Sequence, residues 1–338
     1  MNIYGSSCVL KGLVVIILAL ILVQYLYSLF ETGQSEQLYI VNASFTDRHP
    51  LFSFETKQSN DNAAKNLSAW IYSQVTPVTG GEMTPSLCPL VPPNLVGVFT
   101  ANKDVDSLEK AAAVVGGGVL AGGQWRPSEC RARDRVAVIV PYRDRPLHLC
   151  VFLANMHPFL QRQQLDYGIF VIEQAGNGDF NRAMLMNVGF VEALGMRDFD
   201  CFIFHDVDLL PEDDRNLYTC PDQPRHMSVA VDVFNYRLPY ADIFGGVSAM
   251  SREHFEKVNG FSNVFWGWGG EDDDMAARIK AAGLHIVRYP VTVARFENLY
   301  NGRKRLKTDG LNSLQYRRLE VRLSKLFTWI LVELSAPS

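Results

Sequence analysis

The sequence predicts an α/β fold with a doubly wound sheet. Apolar, β-branched runs typical of buried strands alternate with amphipathic helical segments, and charged loops follow the ends of two strands. The chain has 338 residues, of which 48% are hydrophobic, and this is enough for a sizeable core. Its net charge of −4 gives no indication of a nucleic-acid partner.

The predicted elements follow one another from residue 135 onward. Residues 136–140 form a buried strand, residues 147–160 a helix, residues 167–172 a second strand, residues 181–194 a second helix, and residues 199–204 a third strand. Ligands of such sheets bind beyond the carboxyl ends of the strands. The loops after the first and third strands are therefore the candidate site.

The N-terminal segment predicts a membrane anchor. Residues 12–30 contain no charge, with Lys11 before them and Glu31 after them. At a rise of about 1.5 Å per residue, a helix of this length nearly spans a ~30 Å hydrocarbon core. Residues 1–11 would then be cytoplasmic and the rest lumenal. The alternative is a cleaved signal peptide, but the run is long for one and no small-residue cleavage site follows it.

Residues 31–85 are polar and without sustained apolar period, as in a stem between anchor and folded domain. Asn42 and Asn66 begin two glycosylation sequons there, which agrees with a lumenal position. Residues 86–338 would form the folded domain.

The cysteines of the folded domain also agree with an oxidising compartment. None of them forms the CxxC pattern of a zinc site, so disulfides are favoured over metal while the connectivity stays open. These cysteines are Cys88, Cys130, Cys150, Cys201 and Cys220.

The loop after the third strand contains Asp206 and Asp208 on either side of Val207. Alternate residues of an extended chain point the same way, so both carboxylates could face one divalent cation on a nucleotide diphosphate. A solvated turn or a helix cap is the alternative. Arg143 and Arg145, in the loop after the first strand, carry forked donors that suit a pyrophosphate. Arg182 joins this set, against the alternative of ordinary surface charge.

Residues 266–274 read WGWGGEDDD. Tryptophan rings stack on sugar faces, and glycines allow a hinge or a close approach to a ligand. One of several adjacent carboxylates can have a raised pKa and act as a general base. The same acids also suit the N-terminus of a helix predicted over residues 275–282.

Seven segments of this chain together resemble the β-1,4-galactosyltransferase family, most closely its N-acetylgalactosaminyltransferase members. They are VIVPYRDR at 138–145, FNRA at 180–183, FHDVDL at 204–209, QPRH at 223–226, FGGVS at 244–248, WGWGGEDDD at 266–274 and DGLNSL at 309–314. The resemblance implies a GT-A fold, which is a Rossmann-like mixed sheet with helices on both faces. It also implies a single-pass type II protein of the Golgi membrane.

The resemblance further implies an inverting transfer from a UDP-sugar, with Mn²⁺ as cofactor, to a GlcNAc-terminated glycan. Asp208 would bind the metal, and Asp272 would be the base that deprotonates the acceptor's 4-hydroxyl. The implied nucleotide-sugar site comprises Pro141, Tyr142, Arg143, Asp144, Arg145, Phe180, Asn181, Arg182, Val207 and Trp268. The implied acceptor site comprises Tyr240, Gly270, Glu271, Asp272 and Asp273. The family's disulfides correspond to Cys88–Cys130 and Cys201–Cys220.

The chain departs from the family after Arg295. The family continues there with Met-x-x-His, which supplies two metal ligands, and then with a long loop. Here Asn298 and Asn301 occupy the Met and His positions by simple register, and the DGLNSL segment arrives early. Amide oxygens are poorer manganese ligands. Two function classes therefore stay open: a working transferase, and a non-catalytic member that still binds nucleotide or glycan or acts as a partner.

The donor sugar is expected to depend on Ile243. Galactose-transferring members carry Tyr at this position, against the 2-position of the donor, and members that use N-acetylgalactosamine carry a smaller aliphatic residue. Ile leaves apolar room for an acetyl methyl, so the expected donor is UDP-N-acetylgalactosamine, with UDP-galactose as the alternative. The other possibility is that Ile243 is only a core residue beside a glycine turn.

Overall fold

The computed structural model describes residues 85–298, 311 and 314–335. The helices are α1 (Leu108–Val115), α2 (Pro146–Arg162), α3 (Arg182–Met196), α4 (Arg252–Lys257) and α5 (Glu271–Ala281), with a 3-10 turn at Asp232–Phe234. The strands are β1 (Gln124–Trp125), β2 (Arg135–Tyr142), β3 (Asp166–Gln174), β4 (Cys201–His205), β5 (Leu209–Pro211), β6 (Arg225–His226), β7 (Ala230–Val231), β8 (Val247–Ser251), β9 (Arg295–Asn298), β10 (Tyr316–Leu323) and β11 (Thr328–Leu334).

The main sheet is mixed, with the strand order β10-β11-β3-β2-β4-β8-β6 and β1 paired to β3. Strands β2, β3, β4 and β11 pair in parallel with one another, in the pairs β11–β3, β3–β2 and β2–β4. Strands β8, β6, β10 and β1 pair antiparallel with their neighbours. The predicted strand–helix–strand order from β2 to β4 is confirmed. The carboxyl ends of β2 and β4 meet at one edge of the sheet, as the candidate site requires.

Helices cover both faces of this sheet because successive side chains of a strand point to opposite sides. Val136, Val138 and Val140 of β2 pack in one buried cluster with α2. Ala137 and Ile139 pack in the other with α3. The close approach of α3 needs Gly189, where a Cβ would lie 2.2 Å from Ile139 Cγ2.

A second, small sheet has the order β5-β9-β7. Strand β9 pairs antiparallel with β5, and Asn298 lies opposite Leu209. Since Leu209 directly follows Asp208, the small sheet brings the region after Arg295 to the Asp206–Asp208 loop.

The two disulfides implied by the resemblance are confirmed: Cys88 is bonded to Cys130, and Cys201 to Cys220. Cys150 is a buried free thiol on α2. Among the residues that the structure describes, no helix is long and apolar enough to span a membrane. The predicted anchor at 12–30, the stem, and the sequon residues Asn42 and Asn66 lie outside the described residues.

Candidate active site

The Asp206–Asp208 loop lies where β4 ends, but the chain turns there instead of staying extended. The Leu209 N–H donates to the Asp206 carbonyl over 3.2 Å. Each carboxylate contacts an arginine: Arg182 Nε lies 2.5 Å from Asp206 Oδ1, and Arg145 Nη1 lies 2.8 Å from Asp208 Oδ2. The arginines and acids that the sequence singled out therefore do meet, as ion pairs.

The Asp208 carboxyl is the candidate metal ligand. Burial and the neighbouring Asp206 charge raise its pKa to about 6, which marks a carboxylate that a cation would stabilise. Asn298 approaches this loop across the β5–β9 pair. Within the described residues, no group of three or more His, Cys, Asp or Glu side chains is gathered to hold a metal. The Asp208 carboxylate is thus a suitable manganese ligand, but the described residues do not supply a complete set of ligands. Asn301 lies outside the described residues.

Arg182, the first residue of α3, joins the two acidic segments. Besides Asp206, its guanidinium contacts Glu271 Oε1 at 3.2 Å and the Gly246 carbonyl at 3.2 Å. Asn181 caps α3 by accepting from the Met184 N–H over 2.9 Å. The cap explains why helix α3 starts at this point. Its first residue, Arg182, is thereby directed to the carboxyl end of β4.

Arg143 and Phe180 lie side by side at the ends of β2 and β3. The Arg143 guanidinium is 5.2 Å from the centre of the Phe180 ring and donates to the Gly178 carbonyl at 2.7 Å. The Phe180 carbonyl accepts from the Gly267 N–H over 2.8 Å. This bond joins the loop of residues 266–270 to Phe180 of the predicted nucleotide site.

Trp268 is 51% exposed on that loop, while Gly267 and Gly269 have φ values of 85° and 94°. Glycine adopts these backbone angles without steric cost. The loop thus presents a large aromatic ring to solvent, where a sugar face could stack on it.

The acidic run forms the first turn of α5, which begins at Glu271 after Gly270 with φ 100°. Asp272 is buried, and its pKa is raised to about 7 by burial, by Glu271 and by Asp273. The helix N-terminus favours the charged carboxylate, but burial and like charges dominate. Asp273 Oδ1 accepts from the Tyr240 hydroxyl at 2.7 Å, so two predicted acceptor residues meet.

The segment 240–246 passes directly beside Asp272. A Cβ built on Gly245 would lie 2.7 Å from Asp272 Oδ2, so a larger residue there would require the carboxylate to shift. Ile243 is half-buried two residues earlier, and its carbonyl accepts from Arg288 Nη2 at 2.8 Å. Sequence reasoning missed Arg288, and it missed the packing role of Gly245, although a Gly-Gly pair is a signal for close approach.

Comparisons with known proteins agree with this geometry. Residues 88–221 match the family model described as the N-terminal region of glycosyl transferase group 7, and residues 225–302 match the N-terminal domain of galactosyltransferase. The chain is 44% identical over 314 residues to β-1,4-galactosyltransferase 2 of Cricetulus griseus, covering 86% of this chain and 84% of that protein.

Two further similarities extend this result. β-1,4-Galactosyltransferase 4 of Cricetulus griseus is 47% identical over 268 residues, covering 73% of this chain and 76% of that protein. A crystal structure of mutant Drosophila β-1,4-galactosyltransferase 7, complexed with manganese, UDP-Gal and xylobiose, superimposes with a TM-score of 0.54 at 34% identity. It covers 60% of this chain and 95% of that chain. The mixed α/β fold is therefore GT-A-like, and this chain belongs to the β-1,4-galactosyltransferase family of hexosyltransferases.

Proposed function

We propose that this chain transfers N-acetylgalactosamine from UDP-GalNAc to the 4-hydroxyl of terminal GlcNAc on glycoproteins or glycolipids, with inversion at the anomeric carbon. The donor assignment depends on one observation, the half-buried Ile243 on the segment that passes beside Asp272. Ile is smaller than the Tyr of galactose-transferring members and has no hydroxyl to satisfy. A pocket with Ile therefore accepts the acetyl methyl at the donor's 2-position.

In the proposed reaction Asp272 is the general base. Its carboxylate accepts the proton of the acceptor's 4-hydroxyl while that oxygen attacks the anomeric carbon. The bond from this carbon to the diphosphate oxygen breaks, and its electron pair leaves with UDP. Support comes from the burial of Asp272 and its pKa of about 7, because a base works best with a pKa near the operating pH.

The acceptor would lie against the first turn of α5. Tyr240, Gly270, Glu271 and Asp273 line this turn together with Asp272, and the Tyr240–Asp273 hydrogen bond orients both of its members. The hydroxyls of a sugar suit carboxylate and phenol partners, since these supply acceptors and a donor at fixed positions.

The nucleotide would lie between the end of β2 and Trp268. Arg143 and Arg145 would donate to the diphosphate, and Asp144, Val207 and the Phe180–Arg182 segment would complete the wall with Pro141 and Tyr142. Manganese, when bound, would neutralise diphosphate charge, and Asp208 is the side chain that would hold it. The proton transfer and sugar orientation above use the protein's own side chains.

The test is a donor competition between UDP-GalNAc and UDP-Gal with a GlcNAc acceptor, comparing wild type with Ile243→Tyr. The wild type should favour UDP-GalNAc, and the mutant should shift toward UDP-Gal by about 10- to 200-fold in the ratio of kcat/KM. Ile279→Val, on the buried face of α5, is a matched control that should leave the ratio unchanged. A wild type that prefers UDP-Gal would place the chain among galactosyltransferases.

A second candidate is a catalytically impaired member that binds nucleotide or glycan without turnover. The part of the chain that the structure describes gathers no complete donor set around Asp208, and this favours the second candidate. Single-turnover assays at saturating enzyme separate the two candidates, because a binder retains affinity for UDP-sugar but releases no UDP.

We also propose that residues 12–30 anchor the protein in the Golgi membrane as a single-pass type II protein, with the catalytic domain in the lumen. The uncharged span and the downstream sequons support this topology. Glycosidase treatment should increase the gel mobility of the wild type, and Asn42→Gln with Asn66→Gln should remove that shift. Full-length, unglycosylated protein in the cytosol would contradict the topology.

A further inference from the structure

One arginine holds the backbone of residues 240–246, here called the donor segment, at two carbonyl groups. Arg288 Nη2 donates to the Ala241 carbonyl at 2.9 Å and to the Ile243 carbonyl at 2.8 Å. Its Nε donates to His226 Nδ1 at 3.1 Å. A planar guanidinium presents these donors in a fixed fork, which an ammonium group cannot reproduce.

His226 extends this contact to a third carbonyl of the same segment. The ring is fully buried, and its Nε2 lies 3.1 Å from the Gly245 carbonyl. Since Nδ1 accepts from Arg288, Nε2 carries the hydrogen and donates to Gly245. Burial and the Arg288 charge lower the pKa of His226 to about 3, so the ring stays neutral and keeps this arrangement.

The pair is built into the sheet edge. Arg225 forms a parallel bridge with Val287, and the His226 N–H donates to the Val287 carbonyl at 3.0 Å. These backbone bonds place Arg288 beside His226, so the pair is attached to a rigid element. The alternate carbonyls of residues 241, 243 and 245 therefore share one anchoring unit.

We propose that Arg288 is a positioning residue for donor selectivity: through its own fork and through His226, it fixes the backbone at Ile243 and Gly245. The hydrogen bonds of Arg288 described above go to His226, Ala241 and Ile243 and not to Asp272. Its effect on the donor site would therefore pass through the donor segment. The consequence for selectivity rests on the proposed function, because that function assigns the donor's 2-position to Ile243. A loosened segment would let Ile243 adapt to either donor and let Gly245 move against Asp272.

An exposed ion pair on the same segment provides the matched control. Lys280 Nζ lies 2.7 Å from Asp242 Oδ1, and both side chains are more than half exposed. Exposed pairs of this kind contribute little to stability. Lys280→Ala therefore removes a contact of the segment without removing its buried anchor.

The first measurement is amide hydrogen exchange on the full-length chain, comparing wild type with Arg288→Ala, Arg288→Lys and Lys280→Ala. We expect faster exchange in peptides that cover residues 240–247 for Arg288→Ala, a smaller increase for Arg288→Lys, and none for Lys280→Ala. Exchange within β2, in the middle of the main sheet, is the internal reference for retained folding. Unchanged exchange at 240–247 in Arg288→Ala would overturn the proposal.

The second measurement is the ratio of Kd values for UDP-GalNAc and UDP-Gal in the same four proteins. In Arg288→Ala this ratio should move toward one by about 10-fold or more, as a lost pocket contact does, and Lys280→Ala should keep the wild-type ratio. Equal weakening of both donors in Arg288→Ala would overturn the selectivity role. A wild type that prefers UDP-Gal, or binds neither donor, would instead defeat the proposed function, and the exchange result would still decide whether Arg288 holds the segment.

Discussion

Gly245 lies against the carboxylate of Asp272, so closely that a Cβ on Gly245 would stand 2.7 Å from Oδ2 and 3.3 Å from Cγ. The two residues come from different elements, the segment before β8 and the first turn of α5. Their contact joins the candidate donor pocket to the candidate base. Asp272 also lies near the Arg182 charge, which opposes the rise of its pKa.

The first prediction concerns Gly245→Ala. The added methyl group would displace the Asp272 carboxylate, and turnover should fall by about 100-fold, because misplacement by about 1 Å costs that much. Affinity for UDP should change little, since the three atoms nearest to the added methyl group all belong to Asp272. Steady-state kinetics with UDP calorimetry measure both effects. Gly195→Ala is the control, because nothing lies within 4 Å of a Cβ there.

Equal turnover in Gly245→Ala and Gly195→Ala would contradict this prediction. A loss of folding in Gly245→Ala alone would show as a lower midpoint of thermal unfolding, which separates it from a local displacement of the base.

The second prediction concerns Asp272→Asn. The amide preserves the shape of the side chain but cannot accept the acceptor's proton, so turnover should fall by about 100- to 10,000-fold. Donor binding should persist, and calorimetry with UDP-sugar checks it. Asp274→Asn is a control in the same turn, since Asp274 is paired to Arg278 instead. Near-normal turnover in Asp272→Asn would exclude it as the base.

The sequence predicts the first half of the fold well because its signals are local. Strands β2, β3 and β4 are continuous apolar runs, and α3 has its own capping residue at Asn181. Strand β11 is different: it pairs in parallel with β3, from the far end of the chain. No pattern within residues 316–334 indicates β3 as the partner. The sequence therefore predicts neither the hairpin of β10 and β11 nor its place in the sheet.

The candidate site divides in the same way. Motif residues such as Asp208 and Asp272 were predicted from their own segments, and the structure brings Arg145 against Asp208. The Arg288 fork was not predicted, because it depends on the bridge between Arg225 and Val287. The turn at Asp206 was also missed, since a hydrogen bond from Leu209 replaces the expected extended backbone.

The third prediction concerns manganese. Asp208 is the carboxylate that the family resemblance assigns to the metal, and Arg145 already contacts it at 2.8 Å. A metal held by few protein ligands loses coordination energy and geometric control. Calorimetry with manganese and UDP should therefore give weaker affinity than β-1,4-galactosyltransferase 2 of Cricetulus griseus measured alongside. Asp208→Asn should weaken it further, whereas affinity equal to that of the relative would mean that other side chains supply ligands.

The last prediction concerns stability against pH. The pKa of Asp272 is 3.8 in the unfolded chain and about 7 in the folded protein, so folding favours its protonated form. Its contribution to stability is complete below pH 3.8 and is lost as the pH rises through 7. At pH 8 the folded wild type must hold a buried carboxylate beside Glu271 and Asp273, whereas Asp272→Asn holds a neutral amide. The variant should therefore gain stability over the wild type as the pH rises from 4 to 8. The gain is at most about 4 kcal/mol, because a tenfold change in an ionisation constant corresponds to about 1.4 kcal/mol. Chemical unfolding at several pH values measures it, with Asp104→Asn as the control for an exposed carboxylate. A difference between Asp272→Asn and wild type that stays constant from pH 4 to pH 8 would mean that Asp272 ionises in the folded protein as it does in the unfolded chain.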